Sequence, residues 1–317
     1  MMSLQGKRVW IAGHRGMVGA ALMRRLQGED CTLLTAGRAE LDLRRQADTE
    51  AWIERMRPEV IFLAAAKVGG ILANASFPAD FLYDNLAIEA NVVHAAARAG
   101  VSKLVMLGSS CIYPRDAAQP IGEDQLLSGP LEPTNEWYAI AKIAGLKLVQ
   151  AYRRQHGCDF IAAMPCNLYG PHDNFDLASS HVLAALIRRV HEAKLRQAPA
   201  IEIWGSGTPR REFLHVDDCA DALVRLAGDY SDERPINIGA GEDITILELL
   251  EAVKRVVGYA GATTHDRSKP DGTPRKLMDS SRITALGWRP RIGLEDGLAR
   301  TYAWYLAHED RIKSAGS

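Results

Sequence analysis

Residues 7–27 read KRVWIAGHRGMVGAALMRRLQ, and this stretch decides the fold class. KRVWIAG (7–13) is short, apolar and β-branched, whereas GMVGAALMRRLQ (16–27) repeats apolar residues at three- and four-residue spacing. The first is a strand and the second a helix. Between them Gly13, Gly16 and Gly19 form a G-x-x-G-x-x-G turn. Glycines there let the chain turn tightly, let a pyrophosphate approach the backbone, and let the helix pack close to the strand. The helix N-terminus then supplies N–H donors and a partial positive charge to an anion.

The alternation continues outward through CTLLTA (31–36), VIFLAAA (60–66), LVMLGSS (104–110) and DFIAAMPCNLYG (159–170), each separated by helical patterns. Strands alternating with helices predict an α/β fold, a Rossmann-type doubly wound parallel sheet covered on both faces. Two long amphipathic stretches, 79–100 and 136–157, each end in glycine and predict helices that pack on the sheet or on another subunit. Beyond about residue 170 the texture turns to Pro-, Gly- and Arg-rich loops such as GSGTPRREFLHVDD (205–218). That change predicts a second, smaller C-terminal lobe for substrate, with the cofactor domain over 1–168 and 213–241 and the substrate domain over 169–212 and 242–317.

Composition narrows the function classes. The 317 residues are 47% hydrophobic and 24% charged, with 38 basic against 39 acidic side chains, so no overall field draws the protein to nucleic acid or an anionic membrane. An anionic ligand must be met by a local cluster. The longest apolar runs fall far short of the roughly 20 residues a bilayer span needs, and MMSLQGKRVW has no apolar core of a signal peptide. Five scattered cysteines without C-x-x-C spacing predict neither a disulfide framework nor a metal site, and fit a reducing cytoplasm.

The end of the second strand discriminates between dinucleotides. NAD binders place an acid there, and NADP binders a guanidinium for the 2′-phosphate. The chain reads Thr35-Ala36-Gly37-Arg38, so Arg38 with Arg15 forms the expected phosphate clamp. Further along, TNEWYAIAKIAG (134–145) sets Tyr138 and Lys142 one helical turn apart. An ammonium so placed can lower the phenol's pKa, and the phenol can exchange a proton with a carbonyl oxygen. A chance tyrosine and lysine on an amphipathic helix would look the same in isolation. Together with the glycine turn and the serine of LGSSCIYP (107–114), the pair reads as a site.

These motifs, with REFLHVDD (211–218), follow the order of the extended short-chain dehydrogenase/reductase family, which the chain resembles over nearly its whole length. More narrowly, GHRGMVG, AAAKVGGI, GSSCIYP, LEPTNEWYAIAK, NLYGPHDNF and SKPDGTPRKLMD resemble the GDP-L-fucose synthase branch. Trp137 and Cys166 depart from that pattern. The resemblance implies 3,5-epimerisation and NADPH-dependent 4-reduction of GDP-4-keto-6-deoxy-D-mannose by a homodimer. It implies that Tyr138 protonates the C4 oxygen, Ser109 hydrogen-bonds it, and Lys142 tunes the phenol and grips the nicotinamide ribose. The implied cofactor contacts are Gly13, Arg15, Gly16, Met17, Val18, Gly19, Arg38, Leu107, Lys142, Pro165, Asn167, Leu168 and His181.

In related dehydratases the serine or threonine is followed by an Asp-Glu pair whose glutamate takes the C5 proton; here the slot after Ser109 holds Ser110 and Cys111. Cys111 is therefore the expected base, its thiolate favoured by an imidazolium or Lys142 nearby. His181 in SSHVLAAL (179–186) is the expected partner that returns a proton to the opposite face. A buried inert thiol and a structural helix-start histidine are the plain alternatives. For the GDP moiety the candidates are Arg211 first, then Arg189 and Trp204, with Lys269, Arg275 and Lys276 in support and Asp279 for a hydroxyl or the base edge. Rival functions are a GDP-L-colitose synthase, which epimerises C5 only, and an NADP-binding redox-sensing regulator.

Overall fold

The computed structural model describes residues 2–268, 271 and 273–314. Thirteen strands and ten α-helices are found among them, with three short 3₁₀ turns. The strands are β1 (Arg8–Ala12), β2 (Thr32–Leu34), β3 (Val60–Leu63), β4 (Lys103–Leu107), β5 (Phe160–Pro165), β6 (Asn167–Tyr169), β7 (Ala200–Trp204), β8 (Arg210–Arg211), β9 (Phe213–His215), β10 (Ile236–Ile238), β11 (Ile244–Thr245), β12 (Ala262–Asp266) and β13 (Arg275–Lys276). The helices are α1 (Met17–Leu26), α2 (Gln46–Met56), α3 (Ile71–Ser76), α4 (Pro78–Arg98), α5 (Glu136–His156), α6 (Val182–Leu195), α7 (Val216–Asp229), α8 (Ile246–Val257), α9 (Ser281–Ala285) and α10 (Leu294–Ser314).

Six strands form one parallel sheet in the order β10-β5-β4-β3-β1-β2. From β1 the chain goes to β2 on one side and then crosses back to β3 on the other, so the sheet order reverses beside β1. A crevice for a ligand opens at such a reversal, outside the carboxyl ends of the strands. The central strands β3, β4 and β5 are buried at every residue, as strands covered on both faces must be. One apolar cluster lies between the sheet and α1 and α7, and another between the sheet and α2 and α4. A third fills the second lobe between α6, α8 and α10.

Two local outcomes differ from the sequence reading. The single run expected at 159–170 is broken at Cys166: β5 stays in the main sheet, while β6 leaves it and pairs with β9. The chain is thereby handed from one lobe toward the other. Met278, Ile283 and Trp288, expected with the smaller lobe, pack in the cluster beneath the main sheet, and Ile121 N–H donates to Leu277 O at 2.8 Å. The segment from Leu277 to Trp288 thus packs with the main sheet.

Candidate active site

The glycine turn fits a dinucleotide by space as well as pattern. A Cβ on Gly13, whose φ is +91°, would lie 2.7 Å from Ala65 N, and one on Gly19 would lie 2.1 Å from Gly13 O. Only glycine lets strand, turn and helix approach so closely. Met17 and Val18 open α1 behind the turn. The adjoining crevice of about 630 Å³ is lined by Gly13, Arg15, Gly16, Arg38, Arg44 and the Ala64–Lys67 segment. The Arg15 guanidinium lies over Gly37, and Arg15 and Arg38 both line the crevice, the two residues expected to meet a phosphate. The donor set and the cleared backbone therefore fit a dinucleotide phosphate.

A second group of candidates gathers at the carboxyl end of β4. There Ser109 has extended backbone and caps a 3₁₀ turn over Ser110–Ile112, its Oγ accepting from Cys111 N at 3.3 Å. The turn fixes hydroxyl and thiol on one short rigid segment. Facing it on α5 is Tyr138, close enough to Ser109 for a hydrogen bond and to Cys111 for mutual charge repulsion. One turn along, Lys142 lies 5.8 Å from the Tyr138 ring centroid and donates to Leu107 O at 2.9 Å.

Lys142 also has a partner that the spacing does not reveal. It is 3% exposed and forms a 2.9 Å ion pair with Glu89, which is itself 1% exposed on α4. Burial lifts the Tyr138 phenol well above its ordinary value, and the charges of Cys111 and Glu89 lift it further, with only Ser109 pulling it down. The Glu89 carboxylate compensates the ammonium, so the phenol remains a proton donor over the whole working range. Sequence reasoning missed Glu89. Its signal was a charge inside the apolar stripe of α4, in line with Phe81 and Asn85 at helical spacing. Gly145 on α5 makes room for it: a Cβ there would fall 2.1 Å from Glu89 Oε2.

Cys111 is 6% exposed. Burial pushes the thiol up, and Lys276 is the leading cation that pulls it back, ahead of the Ser109 hydrogen bond and Lys142. No imidazole contributes to that balance. Lys276 is thus the cation that most favours the thiolate, although burial lowers its own pKa.

His181 stands at the N-cap of α6 and makes no capping hydrogen bond. Its ring is exposed to solvent yet crowded by surrounding atoms, which lower its pKa through desolvation. Contacts connect it to the tyrosine through the loop after β3: Gly70 meets Ser180, Gly69 meets Phe81, and Phe81 lies edge-on to Tyr138 at 6.4 Å.

The remaining candidates fall on several elements. Leu107 ends β4, Pro165 ends β5 and Leu168 lies in β6; Asn167 Nδ2 donates to Glu212 O at 2.8 Å, which pins the NLYG stretch to the start of β9. Arg211 on β8 donates to Arg210 O and Thr273 O and has its pKa lowered by burial. Arg189 donates to Glu202 O at 2.5 Å, and Trp204 is 52% exposed at the end of β7. Asp279 Oδ1 accepts from Ser281 N at 2.8 Å, so one of its oxygens serves the start of α9. Lys269 lies outside the described residues. Among the described residues no cluster of His, Cys, Asp or Glu could hold a metal ion, and no helix is long and apolar enough to cross a membrane.

Known proteins are similar to the chain along nearly its whole length. GDP-L-fucose synthase of Sinorhizobium fredii is 58% identical over 97% of this chain and 98% of its own length. GDP-L-colitose synthase of Yersinia pseudotuberculosis is 36% identical over 94% of this chain and 98% of its own. Among solved structures, a GDP-L-fucose synthetase from Naegleria fowleri bound to NADP superposes with a TM-score of 0.90 at 27% identity, covering 98% of this chain and 97% of that one. Residues 9–239 match the NAD dependent epimerase/dehydratase family model. With a parallel sheet that reverses order beside its glycine turn and Tyr138 and Lys142 one turn apart on α5, the chain belongs to the NAD dependent epimerase/dehydratase family.

Proposed function

We propose that the protein is a GDP-L-fucose synthase, which epimerises C3 and C5 of GDP-4-keto-6-deoxy-D-mannose and then reduces C4. The observation that carries this reading is the turn that joins Ser109 to Cys111 opposite Tyr138, in a chain 58% identical to a GDP-L-fucose synthase along nearly its full length. The lower identity to the colitose enzyme, 36%, places that reading second. Arg15 and Arg38 in the crevice lining favour NADP(H), which supplies hydride when bound.

One ketone serves both chemistries. Protons on C3 and C5 flank the C4 carbonyl and are acidified because the carbanion delocalises onto oxygen. Ser109 and Tyr138 donate hydrogen bonds to that oxygen, so the enolate is stabilised where its charge develops. Cys111 removes the proton, with Lys276 beside it to favour the thiolate. His181 returns a proton from the other side, which inverts the centre. When C4 is reduced, Tyr138 gives its phenolic proton to the oxygen, and the high phenol pKa keeps that proton in place until then.

Arg211, Arg189 and Trp204 are proposed to take the GDP diphosphate and base, with Asp279 and Lys269 as further candidates. A homodimer through α4 and α5 is supported by Tyr83, Trp137 and Ile140, which are 66%, 44% and 37% exposed on those helices. The absence of C-x-x-C pairs and the free cysteines fit a cytoplasmic enzyme. The test is to incubate the protein with GDP-4-keto-6-deoxy-mannose and NADPH in deuterated water. Deuterium at both C3 and C5 of the reduced product is expected; deuterium at C5 alone returns the colitose-type chemistry, and deuterium at neither removes the epimerase.

A further inference from the structure

The AAAKVGGI stretch (64–71) leaves β3 beside the cofactor crevice, yet its glycines do not touch the glycine turn. They touch the loop that delivers His181. Gly70 N–H donates to Ser179 O at 2.8 Å, and a Cβ on Gly70 would lie 2.4 Å from Ser180 O. The backbone of Gly70 is ordinary, φ −66° and ψ −179°, so a side chain is excluded there by space and not by conformation.

Both sides of this contact are held firmly. Asn85, fully buried, clamps Lys67 from both ends: it accepts from Lys67 N at 2.9 Å and donates to Lys67 O at 3.0 Å. Asn74, 5% exposed, donates to Gly69 O at 2.7 Å and Gly70 O at 3.1 Å. Across the contact, Asp176 O accepts from Ser179 N at 3.2 Å and Ser180 N at 2.7 Å. Ser179 Oγ bridges Asp176 Oδ1 and Asn174 Nδ2 at 2.9 and 2.8 Å. The next residue is His181, the N-cap of α6.

We infer that Gly70 is a positioning residue for epimerisation: its missing side chain sets how far the Ser179–Ser180 segment, and hence His181, advances over the substrate. This rests on His181 being the proton-returning group of the proposed function. Tyr138 and Lys142 sit on α5, where Lys142 pairs with Glu89, and Tyr138 meets this loop only indirectly, through the edge-on Phe81 ring at 6.4 Å, so hydride transfer is expected to respond less than epimerisation. Contacts of this kind essentially never fall below 3.0 Å, so a methyl at 2.4 Å displaces the Ser180 carbonyl by about 0.6 Å. A misplacement of about 1 Å costs roughly a hundredfold in rate, so the shift is worth about tenfold.

The experiment compares Gly70→Ala, Asn74→Ala, His181→Asn and the unaltered protein. Each is given the 4-keto sugar nucleotide and NADPH in deuterated water, and the ratio of deuterium at C3 and C5 to NADPH oxidised is read. Because both chemistries are read on the same molecules, partial unfolding cancels in the ratio. Gly70→Ala is expected to lower it about tenfold, with unepimerised alcohol accumulating, and Asn74→Ala to lower it by a smaller factor. An unchanged ratio in Gly70→Ala overturns the inference; if that variant does not fold, an unchanged ratio in Asn74→Ala does so. His181→Asn separates the two readings. If it keeps the full ratio, the assigned role of His181 fails; if it loses the ratio while Gly70→Ala keeps it, only the role of Gly70 fails.

Discussion

The two halves of the site are built from different materials. The reducing side stands on two long helices: Tyr138 and Lys142 on α5 are locked to Glu89 on α4 by an ion pair in which both partners are 3% exposed or less. The proposed epimerising side stands on turns: Cys111 on a three-residue 3₁₀ turn and His181 at the end of a loop held by backbone hydrogen bonds. Hydride transfer needs one fixed oxygen position, and helices supply it. Proton transfer at two carbons needs a base and an acid set apart from that oxygen, and two separately held turns would supply them.

The comparison is broken most directly by removing the acid. Tyr138→Phe should lower NADPH oxidation by the 10²–10⁴-fold typical of a lost general acid, while deuterium exchange into the keto sugar persists because Ser109 and Cys111 remain. Full turnover in that variant would end the assignment. The next effect concerns the lock. Glu89→Gln leaves a buried ammonium without its counter-charge, which costs about 3–5 kcal/mol of stability. Pairing Glu89→Leu with Lys142→Met should restore most of that stability in thermal unfolding without restoring reduction. A single variant as stable as the parent would show that the helices do not depend on the pair.

A smaller effect lies on the loop side. Asp173 is 9% exposed, its Oδ2 has no hydrogen-bond donor, and burial raises its pKa to about 7 from 3.8. A carboxyl with a raised folded-state pKa holds more protons folded than unfolded, so stability is full below pH 4 and falls as pH rises through about 7. Three pKa units correspond to at most about 4 kcal/mol. Asp173→Asn should therefore match the parent in denaturant melts below pH 4 and exceed it at pH 8; equal curves at pH 8 would show that the carboxyl is already solvated.

What the sequence made legible follows the same division. Gly13, Gly16 and Gly19 and the Tyr138-Lys142 spacing are short-range patterns, and their consequences are local. Arg15 and Arg38 line one crevice because both flank carboxyl ends of adjacent strands. Glu89 was hidden because its partner lies on another helix, and the direction of the phenol shift was hidden because burial is invisible in a spacing. Lys276 entered only as one cation among several for the diphosphate, yet parallel pairing of β13 with β8 carries it toward Cys111. Gly69 and Gly70 were legible as a motif without a reason. The reason is a carbonyl more than a hundred residues away, at Ser180.

The central claim is that one ketone is served by two separable sets of groups. Cys111→Ser tests it most directly, because serine keeps the turn and the Ser109 cap but cannot ionise near neutrality. With GDP-4-keto-6-deoxy-mannose and NADPH in deuterated water, the account predicts continued NADPH oxidation and an alcohol that is mostly unepimerised and carries little deuterium at C3 or C5. A Cys111→Ser protein whose product is fully epimerised and labelled at both carbons would contradict it.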